Sequence, residues 1–194
     1  MFAHVQTVMM SVRLSLEKTL LVVGLSHRTA PVALRERLVF RSADQPKALH
    51  LLRSRGFREA VVLSTCNRVE IYAVAEENLA DSGSLIRAFL AEHHRLPKSQ
   101  FENRLYEHWG SAVARHLFEV TASLDSQILG ESEILGQVKD AYRVADEVGA
   151  CGPALRALLE RAFFLAKQAR SEGGIGCSPV SVSSAAVALA RKVF

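Results

Sequence analysis

The chain has 194 residues, 49% hydrophobic and 23% charged, a balance that excludes an intrinsically disordered protein and suits one domain or two closely packed subdomains. Its net charge of +4 and pI of about 9.2 are mildly basic. Lys and Arg are scattered, as in "RSRGFR", "RALLER" and "AKQAR", so charge alone favours a solvated surface over a polyanionic partner. The three cysteines, Cys66, Cys151 and Cys177, are widely spaced with no CxxC, which argues against a disulfide framework or a zinc site and fits a reduced, cytoplasmic compartment. His93 and His94 are neighbours that a helix turns apart, so they are poor joint metal ligands. No run of 18 or more apolar residues occurs, and no membrane span is expected.

In chain order, residues 1–18 are expected to form a poorly ordered leader. They hold no basic residue before Arg13 and no clean cleavage site, so they do not read as a signal peptide. "LLVVGL" is a buried-type strand. "SHRTAPVALRE" leaves it through a polar turn, with Pro31 suited to the start of a short helix. "SADQPKALHLLRSRG" places Ser42 as N-cap and Gln45 three residues on, a capping box for a helix ending near Gly56. "EAVVLS" and "VEIYAVAE" are two strands joined by a tight connection, the second alternating at Val69, Ile71, Ala73 and Ala75. "DSGSLIRAFLAEHH" is a helix closed by Leu96-Pro97, and "NRLYEHW" is a fourth strand. The order β, α, β, β, α, β is the split βαβ pattern on an antiparallel sheet. After Gly110 come four helical segments, "SAVARHLFEVTASLD", "EILGQVKDAYRVADEV", "PALRALLERAFFLAKQARSEG" and "VSVSSAAVALARKVF". The expected fold class is therefore α+β: a head over 19–110, a helical subdomain over 111–176, and over 177–194 the start of a long connecting helix.

Four stretches could carry chemistry. Cys66 sits among polar residues in "STCNR". An isolated cysteine is usually an inert packing group. Arg68, two residues away, would favour the thiolate, and a polar turn leaving a strand can present the sulfur on a rigid base. His116 is the candidate acid–base partner, although Val113, His116, Leu117 and Val120 share a helical face and a histidine there is more often part of the core. "LDSQILGESEILGQ" gathers Asp125, Ser126, Gln127, Glu131, Ser132, Glu133 and Gln137 between apolar anchors. That is either a pocket lining or a helix–loop–helix corner capped by Ser132 or Glu131. His27 and Arg28 could stand at a pocket rim or simply build a strand-to-helix turn. "GGIGCSP" is not G-x-G-x-x-G and follows no strand, so a Rossmann-type dinucleotide site is not expected.

Together these segments resemble the glutamyl-tRNA reductases, which open the five-carbon route to tetrapyrroles and porphyrins. The resemblance runs from about residue 20 to the end, through "GLSHRTAPVALRE", "VVLSTCNRVEIY", "HLFEV", "LDSQILGE", "EILGQVKDAY" and "SVSSAAVALA". It implies that Cys66 is the nucleophile, attacking the ester of glutamyl-tRNA to give a thioester that NADPH reduces to glutamate-1-semialdehyde, and that His116 is important for activity. It also implies that Thr65, Asn67, Arg68, Ser126, the stretch Glu131, Ser132 and Glu133, and Gln137 hold the glutamyl group. An arginine for the substrate carboxylate agrees with the bidentate fit of guanidinium to carboxylate. A metal is not implied.

The sequence departs from the family pattern in three ways. "TASLDS" stands where "ASGLDS" is usual, putting Ala122 and Ser123 in place of Ser and Gly. Ser132 occupies a position where Pro is common. The family continues into an NADPH-binding Rossmann domain and a C-terminal dimerisation helix, whereas this sequence stops at Phe194. A monomer is expected, against a homodimer for the full-length family, and thioester formation without reduction is expected of this chain alone. Two other readings fit the same residues: a non-catalytic tRNA-binding or interaction module, and a free-standing thiol-dependent glutamyl esterase.

Overall fold

A computed structural model describes residues 15–125 and 133–172. Four strands form one sheet: β1 (Leu20–Ser26), β2 (Phe57–Ser64), β3 (Arg68–Ala75) and β4 (Tyr106–Trp109), in the order β2-β3-β1-β4. Every pairing is antiparallel. The helices are α1 (Val32–Arg37), α2 (Gln45–Ser54), α3 (Ser82–His94), α4 (Ser111–Thr121), α5 (Glu133–Glu147) and α6 (Pro153–Glu172). The expected βαββαβ head and helical half are present. "VSVSSAAVALARKVF" lies outside the described residues.

β1 is apolar from Leu20 to Leu25 and buried along its whole length, the mark of a strand inside a sandwich of layers. One sheet face carries Leu21, Val23, Leu25, Val69, Ile71 and Ala73 by register. It meets α3, whose Gly83 lies against Glu107 of β4 and whose Phe89 stacks with Phe40. The other face carries Val22, Gly24, Arg68, Glu70 and Tyr72. It meets α4, through His116, and α6, whose first-turn N–H groups at Ala154 and Leu155 donate to the Glu59 carboxylate of β2 at 3.1 and 2.7 Å. That carboxylate supplies the cap that two orphan donors at a helix start require. Helix α5 packs along β2, the sheet edge, and shields it. Val113, Leu117, Val138, Leu155 and Leu158 join the strands in one buried apolar cluster.

Three local expectations change. Residues 15–18, expected within a poorly ordered leader, are helical, and Leu16 packs against the core. The capping box at Ser42 does not form: α2 begins at Gln45, with Asp44 in the cap position making no side-chain cap bond. Pro46, which has no N–H to satisfy and a preset φ, opens the first turn instead. The alternation of β3 is real, but its polar side is not a solvent face, since all eight of its residues are buried.

Candidate active site

The β2–β3 hairpin turns through Cys66 and Asn67, and its backbone is held from several directions. The Thr65 N–H donates to Arg68 O at 2.8 Å. Thr65 Oγ1 accepts from the N–H groups of Asn67 and Arg68, both at 3.1 Å. The His27 N–H donates to Asn67 O at 2.8 Å. From α1, Arg35 Nε donates to Cys66 O at 3.1 Å while its NH1 donates to Ala30 O at 2.7 Å. Thr65 and Arg68, which flank the tip, are buried, whereas Cys66 is exposed. The thiol thus stands in solvent on a rigid base.

Below the tip lies a buried polar network centred on Glu70, which is fully enclosed. Glu70 Oε1 accepts from Arg68 NH1 at 2.8 Å and from the Tyr106 hydroxyl, and pairs with His116 Nε2 at 2.8 Å. Its Oε2 accepts from the Tyr72 hydroxyl at 2.6 Å. Arg68 NH2 donates to Asp125 O at 2.6 Å and Asp125 Oδ2 at 3.1 Å, and Arg28 Nε reaches Asp125 Oδ1 at 2.9 Å. Space for the carboxylate comes from Gly24, which sits between Glu70 and Tyr106 in register. A Cβ there would lie 2.6 Å from Val69 O and 2.7 Å from Glu70 Cγ. A glycine inside a strand is the expected sign of such a close approach.

Burial alone would raise the Glu70 pKa, but the charges of His116 and Arg68 and the hydrogen bonds from His116 and Tyr106 outweigh it, holding the carboxyl well below the usual range. Burial likewise works against the Arg68 charge, and Glu70 more than restores it. Burial and then the Glu70 charge push both Tyr72 and Tyr106 well above the ordinary phenol, so both act as neutral donors. Burial lowers His108, and His116 beside it lowers it further against the pull of Glu70. His27 is also lowered, chiefly by burial, with Asp125 opposing.

The structure brings Cys66, Thr65, Asn67, Arg68 and Asp125 together. It places His116 farther along β3, bonded to Glu70 and ringed by Tyr72, Tyr106 and His108. Among the described residues no hydrogen bond joins His116 to Cys66. The Arg68 fork is directed at Glu70 and Asp125. Glu133 is exposed at the first position of α5, where a negative charge suits the helix dipole. Gln137 lines a cavity of about 290 Å³ with Ser42, Gln45, Ser64 and Asp140, alongside the strand that leads to Cys66. Ser126, Glu131 and Ser132 lie outside the described residues. Ser123 is buried with φ +60°, a left-handed conformation that glycine adopts without strain. Sequence reasoning missed Arg35, Glu70, Tyr72 and Tyr106. The usable signal was β1: a strand apolar on both sides forces the polar side chains of its partners indoors. Among the described residues no cluster of three or more His, Cys, Asp or Glu could hold a metal ion, and no helix is long and apolar enough to cross a membrane.

Fold and hairpin together define a class: an α+β domain that presents a single thiol at the tip of a braced two-strand turn, above a buried arginine–carboxylate network. Residues 23–173 match the family described as glutamyl-tRNAGlu reductase, N-terminal domain, and the chain belongs to that family. It is 51% identical over 175 residues to a glutamyl-tRNA reductase of Syntrophotalea carbinolica, covering 90% of this chain and 39% of the relative. To that of Solibacter usitatus it is 48% identical over 176 residues, covering 90% and 42%. The solved glutamyl-tRNA reductase from Methanopyrus kandleri superposes with a TM-score of 0.68 at 34% identity, covering 90% of this chain and 40% of that one. The chain therefore spans about two fifths of the length of these relatives.

Proposed function

We propose that this chain performs the acyl-transfer step on glutamyl-tRNA. The Cys66 thiolate attacks the carbonyl carbon of the glutamyl ester. A Sγ–C bond forms, the C–O bond to the tRNA ribose breaks, and the ribose oxygen leaves as a hydroxyl with a proton from solvent. A cysteine suits this role because its thiolate is intrinsically nucleophilic. The observation that carries the reading is the exposed Cys66 on a turn whose surrounding carbonyl and N–H groups are tied down; fixing the nucleophile in advance lowers the entropic part of the barrier.

In this reading Thr65 shapes the turn, Asn67 offers its amide to the glutamyl group, and Arg68, tied to Glu70 and Asp125, braces the floor beneath it. His116 acts through Glu70 to hold Arg68 in place. Glu133, Gln137 and the family-implied Ser126, Glu131 and Ser132 complete the glutamyl pocket. Reduction of the thioester by NADPH to glutamate-1-semialdehyde, the second half of the reading, gives no task to the described residues. Their sheet is wholly antiparallel and lacks the parallel βαβ crossover on which a dinucleotide pyrophosphate rests, so they do not fit that cofactor.

The test is incubation with glutamyl-tRNA labelled in the glutamate, followed by peptide mapping. Label on the Cys66 peptide, released by hydroxylamine and absent in Cys66→Ser, is expected. A folded wild-type chain that takes up no label refutes the reading.

A further inference from the structure

The cation beside a nucleophilic sulfur matters only if no carboxylate has already neutralised it. Arg68, two residues from Cys66, is matched by Glu70 at 2.8 Å and by Asp125 at 3.1 Å. Arg28 shares Asp125 at 2.9 Å. Two arginines, with His116 beside them on Glu70, already face these two carboxylates. Arg35 differs. It is 4% exposed, both of its hydrogen bonds go to neutral backbone carbonyls, and among the described residues no carboxylate lies within ion-pair distance of it. Burying a guanidinium with no counter-charge is costly, so its placement calls for a compensating use.

That use is close at hand. Arg35 Nε bonds the carbonyl of Cys66 itself at 3.1 Å. Covalent geometry keeps a cysteine sulfur within a few ångströms of its own carbonyl oxygen, so the guanidinium and Sγ share one neighbourhood. The second bond, to Ala30 O at 2.7 Å, anchors the arginine to the turn that leaves β1. The neighbours Glu36 and Arg37 on α1 point to solvent; Arg35 is the residue of that short helix turned inward.

We propose that Arg35 is a positioning residue for the Cys66 thiolate: it pins the Cys66 peptide and supplies the unneutralised positive charge that favours the ionised sulfur. The inference rests on the acyl-transfer reading for its purpose, but it can be measured without it. Alkylation of Cys66 by iodoacetamide, followed across pH by peptide mapping, reports the fraction ionised. In folded Arg35→Gln the midpoint should rise. The rate of label uptake from glutamyl-tRNA should fall ~10-fold with little change in the half-saturating tRNA concentration. Arg35→Lys keeps the charge and loses the planar fork; it should restore the midpoint. A folded Arg35→Gln chain with the wild-type midpoint overturns the proposal. If that variant does not fold, the wild-type Arg35 Nε–H resonance decides. A shift with the same midpoint as Cys66 alkylation supports the proposal, and a flat response through that range overturns it. A wild-type chain that takes up no label ends the acyl-transfer reading and leaves the alkylation midpoint to judge Arg35.

Discussion

The two sides of β3 are built on opposite terms. Val69, Ile71 and Ala73 lie against an apolar layer, where each methylene contributes independently and losses are graded. Arg68, Glu70 and Tyr72 lie against α4 and α6 in a buried polar network, where each group depends on the others. A satisfied network of this kind is rigid, and one missing partner exposes the rest to the full cost of burial without water. The lesson is that the face nearest the thiol is the less forgiving of the two.

The largest effect should come from Glu70→Ala, which strands the buried Arg68 charge. We expect a loss of about 3–5 kcal/mol in urea unfolding. Replacing both partners, as Arg68→Met with Glu70→Leu, should cost less than Glu70→Ala alone; a double variant that is worse than the single one would show that the face does not behave as a coupled unit.

Next comes acid. Burial, with His93 beside it, lowers His94 from 6.5 to about 4. The folded state holds this histidine neutral, so its contribution is complete above pH 6.5 and is lost as pH falls toward 4. After allowance for solvent screening of a half-buried ring, the loss should be about 1–2 kcal/mol. The urea midpoints of the wild-type chain and His94→Gln, compared at pH 7 and pH 4.5, should diverge at pH 7 and converge on acidification. This cluster, with Phe40 and Phe89, belongs to the apolar side of the sheet, so it also shows whether that side contains a titratable weak point.

A smaller effect tests the graded face. Ile71→Val removes one fully buried methylene and should cost about 1 kcal/mol, with no change in Cys66 alkylation. The smallest is at the tip. Cys66→Ser, at an exposed position, should change stability by less than about 0.5 kcal/mol while abolishing label uptake from glutamyl-tRNA.

Much of this arrangement was legible in the sequence. The alternation of "VEIYAV", the unbroken apolar run of β1 and the polar break at "STCNR" give the sheet and the hairpin that carries Cys66. The network was not legible, because alternation separates two faces without saying what covers them. Glu70 reads as a solvent-side residue until α4 and α6 are known to lie over it. Arg35 was hidden for a similar reason: "RER" in a short helix looks uniformly solvated, and only the tertiary turn brings one of its two arginines to the Cys66 carbonyl. The supposed capping box at Ser42 failed through a local rule passed over, the preference of proline for a first helical turn. The Ser123 departure from the family pattern has a backbone meaning, a positive φ, that no side-chain comparison could reveal.

Gly24 has a consequence of its own. Its neighbours, not its backbone angles, forbid a larger residue there, since an added methyl would strike Val69 O and the stem of Glu70. One hydrogen atom in the middle of β1 is thus the doorway through which a carboxylate and a phenol from the two flanking strands meet. Widening residue 24 by a single carbon would shut that doorway, even though β1 could keep every rung of its ladder.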